Sequence, residues 1–236
     1  MQDICIFRRV EKKYPINTQK KNMLLNAISH RLVADAHGKS TVCSLYLDTP
    51  DRLLIRNSMT ATTYKEKLRL RSYGTPESDT EIFFEIKKKY KGVVYKRRVK
   101  MPLSEAEDYI RTGIMPQKNQ IMSEIDYAMK FYRSPLPSML IAYEREAYFG
   151  KEDDGLRITF DTAIRYRETD LDMTQGSYGA EITDKDLWIM EIKTNGGMPV
   201  WLAKALDECE IYPSRFSKYA NAHILSIKEK AREISV

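Results

Sequence analysis

The fold of this chain is decided by two segments near its middle, KEKLRLRSY at residues 65–73 and EIFFEIKKK at residues 81–89. In the first segment, Leu68 and Leu70 fall on the face opposite to Arg69. In the second segment, the even-numbered positions are mainly apolar and the odd-numbered positions mainly charged. Because successive side chains of a strand point to opposite faces, both segments are predicted to be β-strands with one apolar and one charged face.

The same alternation recurs in five further segments of the chain. They are 7–13, 94–100, 139–149, 156–161 and 187–193, and their polar faces include Arg9, Glu11, Lys13, Lys96, Arg98, Lys100, Tyr143, Arg145, Arg157, Asp161, Glu191 and Lys193. Short turns separate most of these segments, and few helices lie between them. This arrangement is typical of an antiparallel sheet or barrel.

Apolar residues at helical spacing appear in four stretches. A helix is predicted after Asn17, its candidate N-cap, and another between Ser104 and Gly113, where Ser104 and Glu107 form a candidate capping box. The remaining stretches are 119–132 and Pro199 to about Lys230, the latter broken near Pro213 with Ser214 as a new cap. Since the turns between elements are short, residues 1–236 are predicted to form a single domain.

Positive charge is concentrated on the polar faces of the predicted strands. The chain has 39 Lys and Arg residues against 33 Asp and Glu residues, a formal net charge of +6. The polar faces hold far more basic than acidic side chains, whereas the rest of the chain is slightly acidic. Two interpretations stay open: a solvated face of a half-buried sheet, or a basic barrel lumen that needs a polyanionic ligand as its counter-ion.

Several classes of protein and of site are excluded. No apolar run approaches the roughly 18 residues of a membrane span, and the N-terminal segment lacks the apolar region of a signal peptide. Cys5, Cys43 and Cys209 lie far apart, which fits reduced thiols and predicts a cytoplasmic protein. Zinc-ligand spacing, a phosphate-binding Gly-rich loop, a dinucleotide fingerprint and a G-x-S-x-G elbow are all missing. Any phosphate binding must therefore rest on Lys and Arg side chains.

Eight short motifs follow one another along the chain. They are EKKY (11–14), SLYLDT (44–49), KLRLRSYG (67–74), FFEIKKK (83–89), AYEREAY (142–148), LRITFDT (156–162), MEIK (190–193) and RFSKYANA (215–222). Taken in this order, they resemble the VTC-type polyphosphate polymerase domain, within the triphosphate tunnel metalloenzyme (CYTH-like) superfamily. The resemblance covers nearly the whole chain.

This resemblance implies a fold and an activity. The expected fold is α+β, an antiparallel β-barrel tunnel with a basic lumen, flanked by α-helices. The expected activity is that of a polyphosphate polymerase, a transferase that moves the γ-phosphate of ATP onto a growing polyphosphate chain with Mn²⁺ or Mg²⁺. The expected partners are ATP and polyphosphate or triphosphate, without nucleic acid and without a membrane segment, and the oligomeric state stays open. A stand-alone protein of bacterial type is expected.

The resemblance also implies roles for individual residues, carried over motif by motif. Catalytic roles are implied for Arg69, Arg71, Lys193 and Lys218. The residues expected to bind substrate phosphates are Lys13, Arg69, Arg71, Lys87, Arg98, Tyr143, Arg145, Arg157, Lys193 and Lys218. Glu191 resembles the metal-binding carboxylate. Glu11 and Glu85 are further metal candidates or, alternatively, ion-pair partners that hold basic side chains in place.

Two other functions stay open. A triphosphatase that hydrolyses inorganic triphosphate or nucleoside triphosphates would use the same tunnel with water as the acceptor. A non-catalytic polyanion-binding module is the third hypothesis, because Tyr64, Tyr73, Tyr90 and Tyr95 interleave with basic residues as in single-stranded nucleic-acid binders.

Overall fold

The computed structural model describes residues 9–61, 63–91 and 93–234, without the side chains of Arg9, His37 and Ile234; Cys5 lies outside these residues. The strands are β1 (Arg9–Asn17), β2 (Leu32–Asp48), β3 (Tyr64–Tyr73), β4 (Glu81–Tyr90), β5 (Val93–Pro102), β6 (Leu136–Gly150), β7 (Arg157–Arg167), β8 (Ala180–Glu181) and β9 (Leu187–Asn195). The helices are α1 (Thr18–Ile28), α2 (Leu53–Thr60), α3 (Leu103–Thr112), α4 (Gln120–Phe131), α5 (Val200–Glu208) and α6 (Lys218–Ile234).

The chain divides into two compact units. The first unit contains the described residues up to Ser40 together with Glu144–Ala163 and Thr183–Ser217. The second unit contains Thr41–Tyr143, Ile164–Ile182 and the residues from Lys218 onward. Strands β2, β6 and β7 contribute residues to both units. The expectation of a single domain stays a prediction.

The second unit is built on the strand order β6-β2-β3-β4-β5, and β8 pairs with the end of β7. The pairings of β2 with β3, β3 with β4 and β4 with β5 are antiparallel, as predicted. The apolar faces of β3 and β4 are fully buried through Leu68, Leu70 and Phe84, against helices α3 and α4. Burial of apolar surface on one face therefore leaves the basic side chains on the other face.

The first unit has the strand order β1-β9-β7-β6-β2 and its own apolar core. Strand β1 pairs with β9, and β9 pairs with β7, both in antiparallel fashion. Tyr14, Ile158, Phe160 and Ile192 project from these strands into a core that also contains Leu24 of α1 and residues of α5. The amphipathic helices thus cover the apolar side of the sheet, which confirms that part of the predicted fold.

The predicted helix boundaries are confirmed at one cap and wrong at two others. Asn17 caps α1 by accepting a hydrogen bond from the Lys20 backbone N–H at 2.9 Å. The capping box at Ser104 is wrong: α3 begins at Leu103, and the Ser104 backbone N–H donates to the Ser78 carbonyl at 2.9 Å. Loop carbonyls distant in sequence satisfy these first helical donors, so a local side-chain cap is not needed.

Residues 200–234 form two helices, in agreement with the predicted break near Pro213, but Ser214 is not a cap. Helix α5 ends at Glu208 and α6 begins only at Lys218. The Ser214 backbone N–H donates instead to the Lys13 carbonyl at 2.8 Å. No helix in the described part of the chain is both long enough and apolar enough to cross a membrane.

Helix α2 has no counterpart in the sequence prediction. Its first turn is capped by the buried carboxylate of Asp48, which accepts hydrogen bonds from the Leu54 and Ile55 backbone N–H groups at 2.8 and 3.0 Å. Asp48 is the last residue of β2, several positions before the helix. This cap depends on the folded path of the intervening turn and does not follow the usual sequence spacing of an N-cap.

Replacing a core leucine of the second unit tests the packing argument. Leu70→Ala removes a fully buried side chain, so the free energy of unfolding should fall by about 2–5 kcal/mol. The matched control is Leu136→Ala, where the leucine is 53% exposed and the expected loss is below about 1 kcal/mol. Denaturant unfolding of the three proteins measures both changes, and equal losses in the two variants would contradict the assigned strand faces.

Candidate functional site

A buried carboxylate surrounded by cations lies on the charged face of β3, β4 and β5. Glu85 of β4 is 1% exposed. The Arg69 guanidinium donates to its Oε2 at 2.8 Å through Nε and lies 2.6 Å away through Nη2. Lys96 Nζ lies 2.6 Å from Oε1, and Arg71 Nε lies 4.0 Å from Oε2. We call these four residues and Tyr46 the Arg69 cluster.

The charges within the Arg69 cluster shift the pKa of its members. Burial alone would raise the pKa of Glu85, but attraction by Arg69, Arg71 and Lys96 outweighs it and lowers that pKa to about 2. Burial and repulsion by the two arginines lower the pKa of Lys96 to about 8, although Glu85 opposes this shift. Three cations around one carboxylate leave an excess of positive charge at this point of the sheet.

The excess positive charge acts on Tyr46, a residue of β2. Its side chain is buried, and its hydroxyl accepts a hydrogen bond from Arg69 Nη1 at 3.2 Å. Burial would raise the pKa of Tyr46, yet attraction of the phenolate by Arg69, Lys67 and Arg71 lowers it to about 7. A field that reverses the effect of burial on a tyrosine is strong enough to attract an anionic ligand.

The first residues of α6 lie next to the Arg69 cluster. Tyr219 stacks on Tyr46, with ring centroids 4.1 Å apart, and donates a hydrogen bond to Asp48 Oδ2 at 2.9 Å. The preceding residue, Lys218, places its Nζ 4.5 Å from the centroid of the Tyr143 ring. The structure therefore brings together Lys218 and Tyr143, two of the residues expected to bind substrate phosphates, and the buried Tyr219 fixes the start of the helix that carries Lys218.

The other predicted residues of the second unit occupy the same strands. Lys87 pairs in register with Lys67 on one side and Lys96 on the other. Arg98 pairs in register with Glu85, but its guanidinium lies 4.4 Å from the centroid of the Phe83 ring. Arg98 is thus an exposed side chain held over an aromatic ring, at the edge of the cluster.

A second group of charges lies in the first unit and is called the Glu191 cluster. It consists of Glu191, Lys193, Lys13 and Glu11 on the paired strands β1 and β9. Lys193 Nζ lies 2.5 Å from Glu191 Oε1, and Lys13 Nζ lies 3.8 Å from Glu191 Oε2 and 3.5 Å from Glu11 Oε1. Lys13 also donates to the carbonyl of Phe216 at 3.1 Å. The predicted metal ligand Glu191 is therefore a neighbour of Lys13 and Lys193, which are predicted to bind phosphate.

The two predicted arginines of the first unit each have an acidic partner. Arg145 makes a bidentate contact with Asp161, at 2.6 and 2.8 Å, and this carboxylate is completely buried. Arg157 lies 3.6 Å from Asp35 and over the Phe149 ring at 5.1 Å. The two parallel contacts with Asp161 fix the plane of the Arg145 guanidinium.

The carboxylates of the Glu191 cluster fit a hard divalent cation only in part. The described residues contain no group of three or more His, Cys, Asp or Glu side chains placed to hold a metal. Glu191 and Glu11 each place a carboxylate oxygen near Lys13 Nζ. Mg²⁺ and Mn²⁺ are commonly held by one or two carboxylates together with substrate phosphates, and this donor set suits such a shared site.

Tyr46, Asp48 and Tyr219 are the residues that sequence reasoning missed. Tyr46 and Asp48 share one face of the SLYLDT strand with Ser44, and Tyr219 follows Lys218 in the RFSKY motif. The alternation in SLYLDT was a usable signal for the first two, because a polar face on a buried strand needs partners. No sequence signal indicates that Tyr219 reaches residues more than 170 positions away.

Matches to a protein family and to solved structures agree with the fold described above. The family model described as the VTC domain matches residues 8–226. A Bacillus halodurans protein provisionally assigned as an adenylate cyclase is similar in structure over 89% of this chain and 95% of its own, with 12% sequence identity and a TM-score of 0.55. A Vibrio parahaemolyticus protein with the same provisional assignment covers 90% of this chain and 96% of its own, with 13% identity and a TM-score of 0.47. No protein of curated function matches. The first likeness confirms the tunnel-type α+β fold class.

Neutralising Glu85 tests the charge balance of the Arg69 cluster. Glu85→Gln leaves Arg69 and Arg71, whose side chains are largely buried, without their carboxylate, so the free energy of unfolding at neutral pH should fall by about 3–5 kcal/mol. Glu81→Gln on the same strand is the matched control, because Glu81 and its partner Lys100 are more than half exposed. That pair should contribute less than about 1 kcal/mol.

The difference in unfolding free energy between wild type and Glu85→Gln should depend on pH in a defined direction. The pKa of Glu85 falls from 4.5 to about 2 on folding, so its contribution to stability is complete above about pH 4.5 and is lost as pH falls toward 2. Denaturant unfolding of wild type and Glu85→Gln across this range should show the difference shrinking with acid. A difference that stays constant would contradict the assigned ion pairs.

Proposed function

The chain belongs to the VTC domain family, and from this premise we propose that it is a metal-dependent polyphosphate polymerase. In the proposed reaction, a terminal oxygen of the polyphosphate chain attacks the γ-phosphorus of ATP. The bond between this phosphorus and the bridging oxygen of the β-phosphate breaks, and ADP leaves. The substrates are ATP and polyphosphate, or triphosphate as the shortest acceptor, and the expected location is the cytoplasm.

The observation that supports this proposal most directly is the excess of cations in the Arg69 cluster. Arg69, Arg71 and Lys96 share one carboxylate, and the lowered pKa of Tyr46 records the resulting field. A polyphosphate carries roughly one negative charge on each phosphate, and it would supply the missing counter-charge. A face that is only solvated would not place its charged atoms at such low exposure.

Phosphoryl transfer needs positioning and charge neutralisation more than it needs covalent help from the protein. Arg69 and Arg71 have planar guanidinium groups that orient phosphate oxygens, whereas Lys193 and Lys218 supply mobile point charges. We assign phosphate binding to the remaining predicted residues, with Arg145 held in its plane by Asp161. These residues are Lys13, Lys87, Arg98, Tyr143, Arg145 and Arg157.

The proposal places the divalent cation at Glu191. Glu191 is the ligand carried over from the family motif, and Glu11 is the second carboxylate within reach of the same lysine, Lys13. When bound, Mn²⁺ or Mg²⁺ would be held by Glu191 and would neutralise negative charge on the substrate phosphates. Lys193, in contact with Glu191, would supply an ammonium group beside this site to bind a substrate phosphate.

Polymer synthesis by the pure protein tests the proposed reaction. Incubation with ATP and Mn²⁺ should produce polyphosphate that is visible on a stained gel. Lys193→Ala and Lys218→Ala should each lower the rate of synthesis by about 10²–10³-fold, because each removes a cation from the developing charge. Lys204→Ala, on an exposed position of α5, is the control and should keep the wild-type rate.

Other outcomes of that assay discriminate between the functions. Release of orthophosphate from triphosphate without chain growth would favour the triphosphatase. Binding of triphosphate without any turnover would indicate a polyanion-binding module. Synthesis by Lys193→Ala at the wild-type rate would contradict the assigned role of this lysine.

Replacement of Glu191 tests the metal assignment. Glu191→Gln keeps the size of the side chain and removes its charge, so the Mn²⁺ concentration needed for half-maximal synthesis should rise by about 10-fold or more. Glu11→Gln is compared in parallel and should shift this concentration less. A larger effect in Glu11→Gln than in Glu191→Gln would exchange the two roles.

A further inference from the structure

Tyr46 differs from three other tyrosines of the second unit in what its hydroxyl contacts. Tyr109, Tyr132 and Tyr219 each donate their proton to a carboxylate, those of Asp126, Glu66 and Asp48 respectively. Each of these contacts stabilises the neutral phenol, and the pKa of each tyrosine is raised, mainly by burial.

The Tyr46 hydroxyl has a different environment. It accepts a hydrogen bond from Arg69 at 3.2 Å, and the described residues include no recorded acceptor for its own proton. Its ring is clamped on one face by the Tyr219 ring, and the Arg69 guanidinium lies 5.8 Å from its centroid. The hydroxyl is therefore held by one donor, Arg69, in a position where an incoming anion would provide the acceptor.

The charged and titratable groups that act on Tyr46, or that surround its contact partners Arg69 and Tyr219, come from several elements. They are Asp48 on β2, Arg52 before α2, Lys67, Arg69 and Arg71 on β3, Glu85 on β4, Tyr143 on β6, and Lys218 and Tyr219 on α6. Asp48 is occupied by Tyr219 and by the first turn of α2, and Glu85 by Arg69 and Lys96. Arg69, Lys67 and Arg71 on β3 are the cations whose attraction lowers the pKa of Tyr46 against the effect of burial.

We propose that Tyr46 contacts phosphate in the Arg69 cluster, and that its hydroxyl takes up a proton from solvent when a polyphosphate or triphosphate binds there. The phenolate oxygen gains this proton and, as a phenol, donates it in a hydrogen bond to a phosphate oxygen. This inference rests on the proposed phosphate-binding function of the cluster. It adds a phosphate ligand and a coupling between binding and pH.

The direction of the coupling follows from the charges. Without anion, the cations of β3 hold the pKa of Tyr46 near 7; a bound polyanion cancels their field, so the pKa rises toward the ordinary value of 10. Between these two values, binding takes up a proton. The affinity for the anion should therefore fall as pH rises above 7, by up to about 10-fold for each pH unit through this group.

Near-ultraviolet difference absorption of the tyrosinate band tests the inference, first without ligand and then with triphosphate. Wild type should show one tyrosine that ionises near pH 7, and saturating triphosphate at about pH 8 should reverse this signal. Tyr46→Phe, which keeps the ring stacked on Tyr219, should lack the transition. Tyr127→Phe is the control, because this tyrosine is 66% exposed on α4, and should keep the transition.

Calorimetry with triphosphate in buffers of different ionisation enthalpy provides the second measurement. The triphosphate's own protonation is common to all proteins, so the difference between wild type and Tyr46→Phe isolates the proton taken up by Tyr46. Circular dichroism checks that the variant is folded.

The outcomes separate this inference from the proposed function. Equal proton uptake by wild type and Tyr46→Phe, or a tyrosinate signal that persists with triphosphate bound, would overturn the inference and leave the polymerase proposal standing. If the protein makes no polymer but binds triphosphate and takes up the proton, the result would contradict the polymerase proposal and support the role of Tyr46. If wild type does not bind triphosphate, both proposals fail.

Discussion

Cations on adjacent strands repel one another, and both the Arg69 cluster and the Glu191 cluster are organised by the need to balance that repulsion. In the second unit, the balance is made by Glu85, which lies almost completely buried between Arg69 and Lys96. In the first unit, Glu191 contacts Lys193 and lies near Lys13. A carboxylate buried at the centre of each group allows the sheet to form without ligand while an attraction for anions is retained.

The acidic residues on the charged faces therefore have two different tasks. Asp161 gives a bidentate contact to one arginine, Arg145, and so fixes the plane of its guanidinium. Glu85 is shared by several cations and leaves an excess that reaches Tyr46. The first arrangement is a matched pair, whereas the second is under-neutralised. Under-neutralised positions are those where binding of a polyanion gains most, because their cations keep an attraction for further negative charge.

Strand alternation was sufficient to predict seven strands of the sheet, and apolar spacing the helices α1 and α3 to α6, whereas β2 and β8 were not among the predicted segments. Prediction failed where a local rule competed with a distant partner. Ser104 does not cap α3 because the carbonyls of Ser78 and Thr80 receive the first donors of this helix. Helix α2 was missed because its cap, Asp48, is supplied from the end of a strand, and Tyr46 was missed because its importance depends on Tyr219.

The sequence by itself determined the period of the strands, the sign of the charge on their polar faces and the membership of the VTC domain family. Only the tertiary structure decided which carboxylate balances which cation, and hence that Arg69 has a spare donor for the hydroxyl of Tyr46. The physical reason is that charge interactions depend on distance and burial. Both are set here by contacts such as Tyr219 to Asp48, between residues far apart in the chain.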